Sequence, residues 1–247
     1  MKILATYNIK GGVGKTSTAV NLSYLAAQDG LRVLLWDLDP QAATSFLFRI
    51  RPRVKGGGKA LIKGSREIDD SIKGTDFANL DLLPADFTYR NLDLVLGATK
   101  KPTRRIARLL TPLSDEYDVI FLDCPPGISL LSESVLQAAD SLLIPLIPTV
   151  LSLRTLDQLT VFLASFDGQR PRVLAFFSMI DRRKRLHREI AESLPTERDD
   201  VASAAIPSLT QIERMSVERA PVAAFAPHSR AAECYRALWA EVRARAL

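Results

Sequence analysis

The sequence predicts an α/β fold, a mostly parallel twisted sheet with helices on both faces. Three observations lead there. Short β-branched or aliphatic runs alternate with longer helical ones along the 247 residues. The run Val119-Ile120-Phe121-Leu122 is apolar throughout, as a central strand covered on both faces must be. The 47% apolar content is enough to bury a core and excludes a disordered tail protein or a disulfide-stapled miniprotein. Strands are expected at Lys2 to Tyr7, Val33 to Trp36, Leu80 to Leu83, Val119 to Leu122, Ser141 to Leu146 and Val173 to Phe177, with Ala204 to Ile206 as a further short one. Residues 1–247 are expected to form one domain without internal repeats.

The first strand runs into Asn8-Ile9-Lys10-Gly11-Gly12-Val13-Gly14-Lys15-Thr16-Ser17, and a helical run continues from Thr18 to Gln28. Glycines let successive backbone N–H groups point inward at an anion, and the helix N-terminus adds its dipole. Lys15 then reaches the outer phosphates, and the Thr16 hydroxyl can hold Mg²⁺. An ordinary glycine-rich turn would leave Lys15-Thr16 at a helix start unexplained. The fold is therefore expected to be P-loop NTPase-like, with the segment Gly11 to Ser17 holding the nucleotide.

The second strand leads to Asp37-Leu38-Asp39-Pro40-Gln41. Asp39 stands just past the strand end, where a carboxylate can orient an attacking water; it also suits a helix N-cap before Gln41-Ala42-Ala43. From Arg49 to Thr75 the chain carries Gly56-Gly57-Gly58, scattered basic residues and helical periodicity only from Ile62 to Ile72, which reads as a mobile surface excursion. The central strand ends at Asp123, placed to hold Mg²⁺ through water or to begin a turn before Pro125-Pro126.

The strict pattern G-x-x-x-x-G-K-[ST] fails, because the residue five before Gly14 is Ile9, and a second lysine, Lys10, comes after it. This loop resembles that of the deviant Walker A ATPases of the ParA/MinD family, specifically the ParA branch. The resemblance covers nearly the whole chain. Trp36-Asp37-Leu38-Asp39-Pro40-Gln41 is similar to the family's switch I, and Phe121-Leu122-Asp123-Cys124-Pro125-Pro126-Gly127 to its Walker B strand and switch II. It implies ATP and Mg²⁺ as ligands and ATP hydrolysis that is slow without a partner. It further implies a homodimer with two ATP molecules between the chains, in which Lys10 reaches the nucleotide of the partner subunit. Lys10, Lys15 and Asp39 are thus the catalytic candidates, Thr16 and Asp123 the metal-holding ones, and Pro207 is expected against the adenine.

The 33 basic against 28 acidic residues leave a charge of +5, which suits an anionic partner only where the cations cluster. They do so in Asp181-Arg182-Arg183-Lys184-Arg185-Leu186-His187-Arg188-Glu189, which resembles the ParA segment whose arginines contact DNA without sequence preference. Arg182, Arg183, Lys184 and Arg185 are the DNA-binding candidates, with a solvated helix start as the plain alternative. One departure from the family concerns Pro207, succeeded here by Ser208-Leu209-Thr210-Gln211 where basic residues are common. Arg214, Arg219 and Arg230, or the excursion from Arg49 to Arg66, are the candidate substitutes.

A second functional class is a MinD-like membrane-surface switch recruiting a division or polarity factor. It draws on Ser229 to Leu247, where Cys234, Tyr235, Leu238, Trp239 and Val242 recur at helical spacing among arginines. No flexible linker precedes that stretch, so core packing is the expectation. No apolar run is long enough to span a membrane, since Pro145 and Pro148 break the one around Leu142 to Leu151. The N-terminus lacks a charged region followed by an apolar stretch and a cleavage site, so no secretory signal is expected, and with the loop beginning at residue 10 no N-terminal helix-turn-helix is expected. Cys124 and Cys234 lie far apart without metal-type spacing, which fits a reducing cytoplasm and disfavours a shared iron–sulfur cluster. The expected partners are a second copy of the chain, nucleoid DNA, and a ParB-like or cargo-adaptor protein that stimulates hydrolysis.

Overall fold

The computed structural model describes residues 1–65, 67–166 and 170–247. The strands are β1 (Lys2–Thr6), β2 (Val33–Asp37), β3 (Lys73–Gly74), β4 (Leu80–Leu83), β5 (Val119–Asp123), β6 (Ser141–Leu146), β7 (Arg172–Ile180) and β8 (Ile206–Pro207). They form one sheet in the order β3-β4-β2-β5-β1-β6-β7-β8. The β3–β4 pairing is antiparallel and the other pairings are parallel. The helices are α1 (Lys15–Gln28), α2 (Ala43–Leu47), α3 (Gly57–Lys63), α4 (Leu92–Gly97), α5 (Arg105–Leu110), α6 (Leu130–Ala138), α7 (Val150–Ala164), α8 (Arg185–Glu197), α9 (Thr210–Glu218), α10 (Val222–Phe225) and α11 (Arg230–Ala246).

Alternation along each strand divides the core into two layers. Ile3, Leu34, Ile120, Leu142 and Phe177 pack on one face with residues of α3 to α7, whereas Leu4, Leu35, Phe121, Leu143 and Phe176 pack on the other with α1 and α11. Each such side chain contributes about 1.5–3 kcal/mol by leaving water. Helix starts are set locally. Ser129 and Ser132 form a capping box at α6, Thr149 accepts from the Ser152 N–H at α7, and Ser229 accepts from the Ala232 N–H at α11. Because β1, β2 and β5 are adjacent and parallel, the loop after β1, Asp39 and Asp123 all arrive at the carboxyl edge of the sheet, where open α/β sheets bind ligands.

The stretch from Arg49 to Thr75 is not the loose excursion expected from its composition. Val54, Leu61, Ile62 and Ile68 are buried in the first core layer, and the Val54 N–H donates to Asp86 Oδ2 at 2.9 Å. Its helix is α3, which overlaps only the start of Ile62 to Ile72 and stops at Gly64, where φ is 67°. Lys73–Gly74 adds an unanticipated antiparallel edge strand. The few apolar residues that anchor the segment are diluted among basic ones, so its periodicity does not stand out. Arg66, the end of the stretch proposed as a substitute DNA surface, lies outside the described residues. At the other terminus α11 buries Tyr235, Leu238, Trp239 and Val242 in the second layer, with Trp239 Nε1 donating to Asp29 Oδ2 at 2.8 Å. Among the described residues no helix is long and apolar enough to cross a membrane.

Candidate nucleotide-binding site

The loop between β1 and α1 is shaped by its glycines and anchored at its entrance. Gly12 and Gly14 take φ of 70° and 94°, in the left-handed region open to residues without Cβ. A Cβ at Gly14 would also lie 2.8 Å from Ser178 Oγ on β7. Asn8 fixes the start of the loop, its Nδ2 donating to the Pro145 carbonyl at 2.8 Å while its Oδ1 accepts from the Lys10 N–H at 2.9 Å. Helix α1 begins at Lys15, three residues before the first helical residue expected, because the glycine turn delivers the chain directly into it.

Lys15 is buried, and its Nζ donates to the Lys10 carbonyl at 3.0 Å. Burial lowers the ammonium pKa from its ordinary value, and the charges of Asp123 and Asp39 pull it back up. Asp123 ends β5 with its carboxylate buried. Its Oδ2 accepts from two hydroxyls, Thr16 Oγ1 at 2.8 Å and Thr44 Oγ1 at 2.7 Å. Asp37, at the end of β2, is also buried; its Oδ2 accepts from the Ser45 N–H at 2.8 Å and from Ser45 Oγ at 2.7 Å. Burial raises both carboxyl pKa values, and the Asp123 charge adds to the rise at Asp37.

Asp39 is half-buried, and its Oδ1 accepts from the Gln41 N–H at 2.9 Å. It therefore closes the turn after β2 and does not cap α2, which starts at Ala43 behind a left-handed Ala42 with φ of 58°. A cavity of about 410 Å³ opens above the loop. Gly11, Gly12, Gly14, Lys15, Thr16, Ser17, Asp39 and Pro207 all line it. Val13 does not, its side chain being buried, and Asp123 reaches the cavity through Thr16. Lys10 is half-buried and stands outside the lining, without an ion pair to any described residue.

Sequence reasoning missed Ser178, Met179 and Tyr235, which close the far side of the cavity, and Thr44 and Ser45, which tie α2 to the two carboxylates. Met179 sits at a register shift between β7 and β8 with φ of 54°, a bulge that no turn residue announces. The site fits a magnesium–triphosphate. Thr16 gives its proton to Asp123 and keeps its oxygen lone pairs for a cation, and the glycine turn leaves space for phosphate. Cys124 is buried, and burial pushes its thiol well above the ordinary range. Among the described residues no three His, Cys, Asp or Glu side chains converge as an all-protein metal cage would, whereas Mg²⁺ beside a nucleotide takes one or two protein groups with phosphates and waters.

The basic candidates lie apart from this cavity, between β7 and α8. Arg182, Arg183, Lys184 and Arg185 are exposed. Arg183 grips Asp181 with two bonds of 3.0 Å and holds that carboxyl down at about 2, and Arg185 pairs with Glu189 at 2.5 Å. A groove of about 290 Å³ joins Arg182 and Arg183 to Pro207, Ser208, Leu209 and Arg230. Of the substitute arginines, Arg230 alone joins this groove: Arg214 pairs with Glu218 at 2.5 Å, and Arg219 stacks 4.6 Å over the Phe46 ring.

The family model described as an AAA domain matches residues 1–175. The chain is similar to the sporulation initiation inhibitor protein Soj of Bacillus subtilis, at 35% identity over 98% of each chain. It is also similar to the chromosome partitioning protein ParA of Caulobacter vibrioides, at 30% identity over 99% of this chain and 95% of the relative. Among solved structures, the cell division ATPase MinD of Pyrococcus furiosus superposes with a TM-score of 0.80 at 25% identity, covering 98% of both chains.

Proposed function

The chain belongs to the ParA/MinD family of deviant Walker A P-loop ATPases, and from that premise we propose that it works as a partition-type switch driven by ATP. In this reading residues 1–247 act as one ATPase domain that pairs with a second copy around two ATP molecules, binds DNA without sequence preference, and positions a cargo as a ParB-like or adaptor protein stimulates its slow hydrolysis.

The observation that carries the reading is the division between two lysines of one loop. Lys15 is buried and lines the cavity, whereas Lys10 lies outside it with only its backbone committed. A charge held outside its own subunit's site is suited to act in trans on a developing phosphoryl charge. Lys15 and the loop N–H groups bind the phosphates. Thr16 and Asp123 hold Mg²⁺, which when bound offsets phosphate charge. Asp39 orients water at the cavity edge, and Pro207 with Met179 receives the base. The Arg182 to Arg185 segment, widened by Arg230 in the shared groove, supplies sequence-independent phosphate contacts. The membrane-surface alternative depends on the aromatic and apolar residues of α11, and their burial removes that support.

Gel shifts with unrelated DNA duplexes, with and without ATP, test the reading. The parent should bind all duplexes alike, more tightly with ATP, and lose affinity steeply with salt. Replacing Arg183 and Arg185 with glutamate should weaken binding to every sequence and flatten the salt slope while leaving ATP affinity unchanged. Equal binding by both proteins would move the DNA surface elsewhere. Cosedimentation of the ATP-bound parent with liposomes and no shift of any duplex would favour the membrane-surface function.

A further inference from the structure

We propose that Thr44 is a positioning residue that couples the metal-holding carboxylate Asp123 to the segment bearing Asp39. This rests on the reading that the cavity takes a magnesium nucleotide. Three helical threonines return their hydroxyl to a carbonyl one turn back: Thr18 bonds to Gly14, Thr155 to Leu151 and Thr160 to Leu156. Thr44 does otherwise. Fully buried, it sends its hydroxyl across to Asp123 Oδ2 at 2.7 Å, the oxygen that also accepts from Thr16 at 2.8 Å. One carboxylate oxygen is thus held from the phosphate-loop side by α1 and from the other side by α2.

The neighbouring residue shows what a fixed anchor looks like. Ser45 donates from Oγ to Asp37 at 2.7 Å and accepts from the Ala85 N–H at 2.9 Å, so it ties α2 to β2 and to the loop after β4 without touching the metal site. Asp37 and Asp123 are register partners on adjacent strands, so the two consecutive hydroxyls of α2 sit on two adjacent carboxylates. One bond belongs to the scaffold; the other belongs to the site. Between Thr44 and Asp39 the chain is short and tightly turned, closed by the Gln41 N–H on Asp39 Oδ1 and by the left-handed Ala42. A displacement of Asp123 as a metal and its water shell bind is therefore passed through Thr44 to the turn that aims Asp39. Metal loading orders the water-orienting segment, and the hydroxyl of Thr44 carries the signal.

Hydrogen exchange of the amides of residues 38–47, with the non-hydrolysable analogue AMP-PNP in Mg²⁺ or in EDTA, tests this, beside calorimetry of AMP-PNP binding. In the parent, Mg²⁺ should slow exchange of this segment. Thr44→Val, which keeps the shape and removes the hydroxyl, should lose the Mg²⁺-dependent slowing when saturated with AMP-PNP, its occupancy fixed by the calorimetry. Thr44→Ser should restore it, and Thr44→Ala replaces the valine variant should that one melt below the assay temperature. A merely structural threonine would change exchange equally with and without Mg²⁺. Parent-like Mg²⁺-dependent slowing in the saturated hydroxyl-free variant, or equal defects in the valine and serine variants, would each overturn the coupling. A parent that fails to bind AMP-PNP in the calorimeter would overturn the nucleotide reading itself and the coupling with it.

Discussion

Asp37 and Asp123 face each other as register partners at the ends of neighbouring parallel strands, and both carboxyl groups are buried. Two acids so placed cannot both ionise cheaply, and hydroxyl and amide donors from α2 and α1 offset part of the cost.

That arrangement sets a pH dependence. Burial and the Asp123 charge raise the Asp37 pKa to about 7. A carboxyl group with a raised folded-state pKa binds more protons folded than unfolded, so its contribution is fully present below its unfolded value near 4 and is lost as pH rises to about 7. The nucleotide-free protein should thus lose thermal stability between about pH 4 and about 7 through this group, and Asp37→Asn should show a smaller loss over the same range. Identical pH slopes for parent and variant in thermal melts would contradict the assignment. The lowered carboxyls of Asp118 and Asp181 act in the opposite window, withdrawing stability only in strong acid.

Lys15→Ala should weaken ATP binding severely. The buried ammonium is the charged donor nearest the phosphates in this reading, and its loss should cost about 3 kcal/mol, roughly a hundredfold in Kd. Calorimetry with Mg–ATP that returned the parent affinity would show the loop assignment to be wrong.

Lys10 and Asp39 should separate nucleotide binding from dimerisation and turnover. Lys10→Ala should bind nucleotide and fail to dimerise or hydrolyse, because in the proposed dimer its charge is supplied in trans. Asp39→Ala should form an ATP-bound dimer that does not turn over. Light scattering that found the Asp39 variant monomeric with Mg–ATP would contradict this arrangement.

Gly14→Ala should be destabilising for two separable reasons. The left-handed backbone costs a Cβ-bearing residue about 1–2 kcal/mol, a Tm drop of roughly 3–6 °C for a chain of this size. The new Cβ would also meet Ser178 Oγ at 2.8 Å. Adding Ser178→Ala should recover the contact part alone. Complete recovery in the double variant would show that the backbone of Gly14 carries no strain.

Much of the fold and site was legible in the sequence for a physical reason: glycine, lysine and carboxylate requirements of a phosphate site are local, so Gly11 to Ser17 announced themselves within one strand–turn–helix. The apolar run from Val119 to Leu122 likewise declared a central strand, and β5 lies between β2 and β1. The features that stayed hidden depend on long-range contacts. Thr44 and Ser45 look like ordinary residues of a short helix until β5 and β2 bring two carboxylates beneath them. Met179 takes its place at the cavity through a bulge set by β8, and Arg230 joins Arg182 only because α11 begins beside the loop after β7. The buried Val54, Leu61 and Ile68 were masked by the basic residues around them.

The two-layered core has a spectroscopic consequence. The chain has two tryptophans, and the sheet separates them: Trp36 is buried in one layer, one residue before Asp37, with its indole Nε1 3.4 Å from Tyr89 Oη, while Trp239 lies in the other layer on α11. Each layer therefore carries its own intrinsic fluorophore. Replacing Trp239 with phenylalanine leaves an emission that reports on the switch side, and replacing Trp36 leaves one that reports on the α1–α11 side. Melting monitored in the two single-tryptophan proteins then reads the two halves of the molecule independently, without any attached dye.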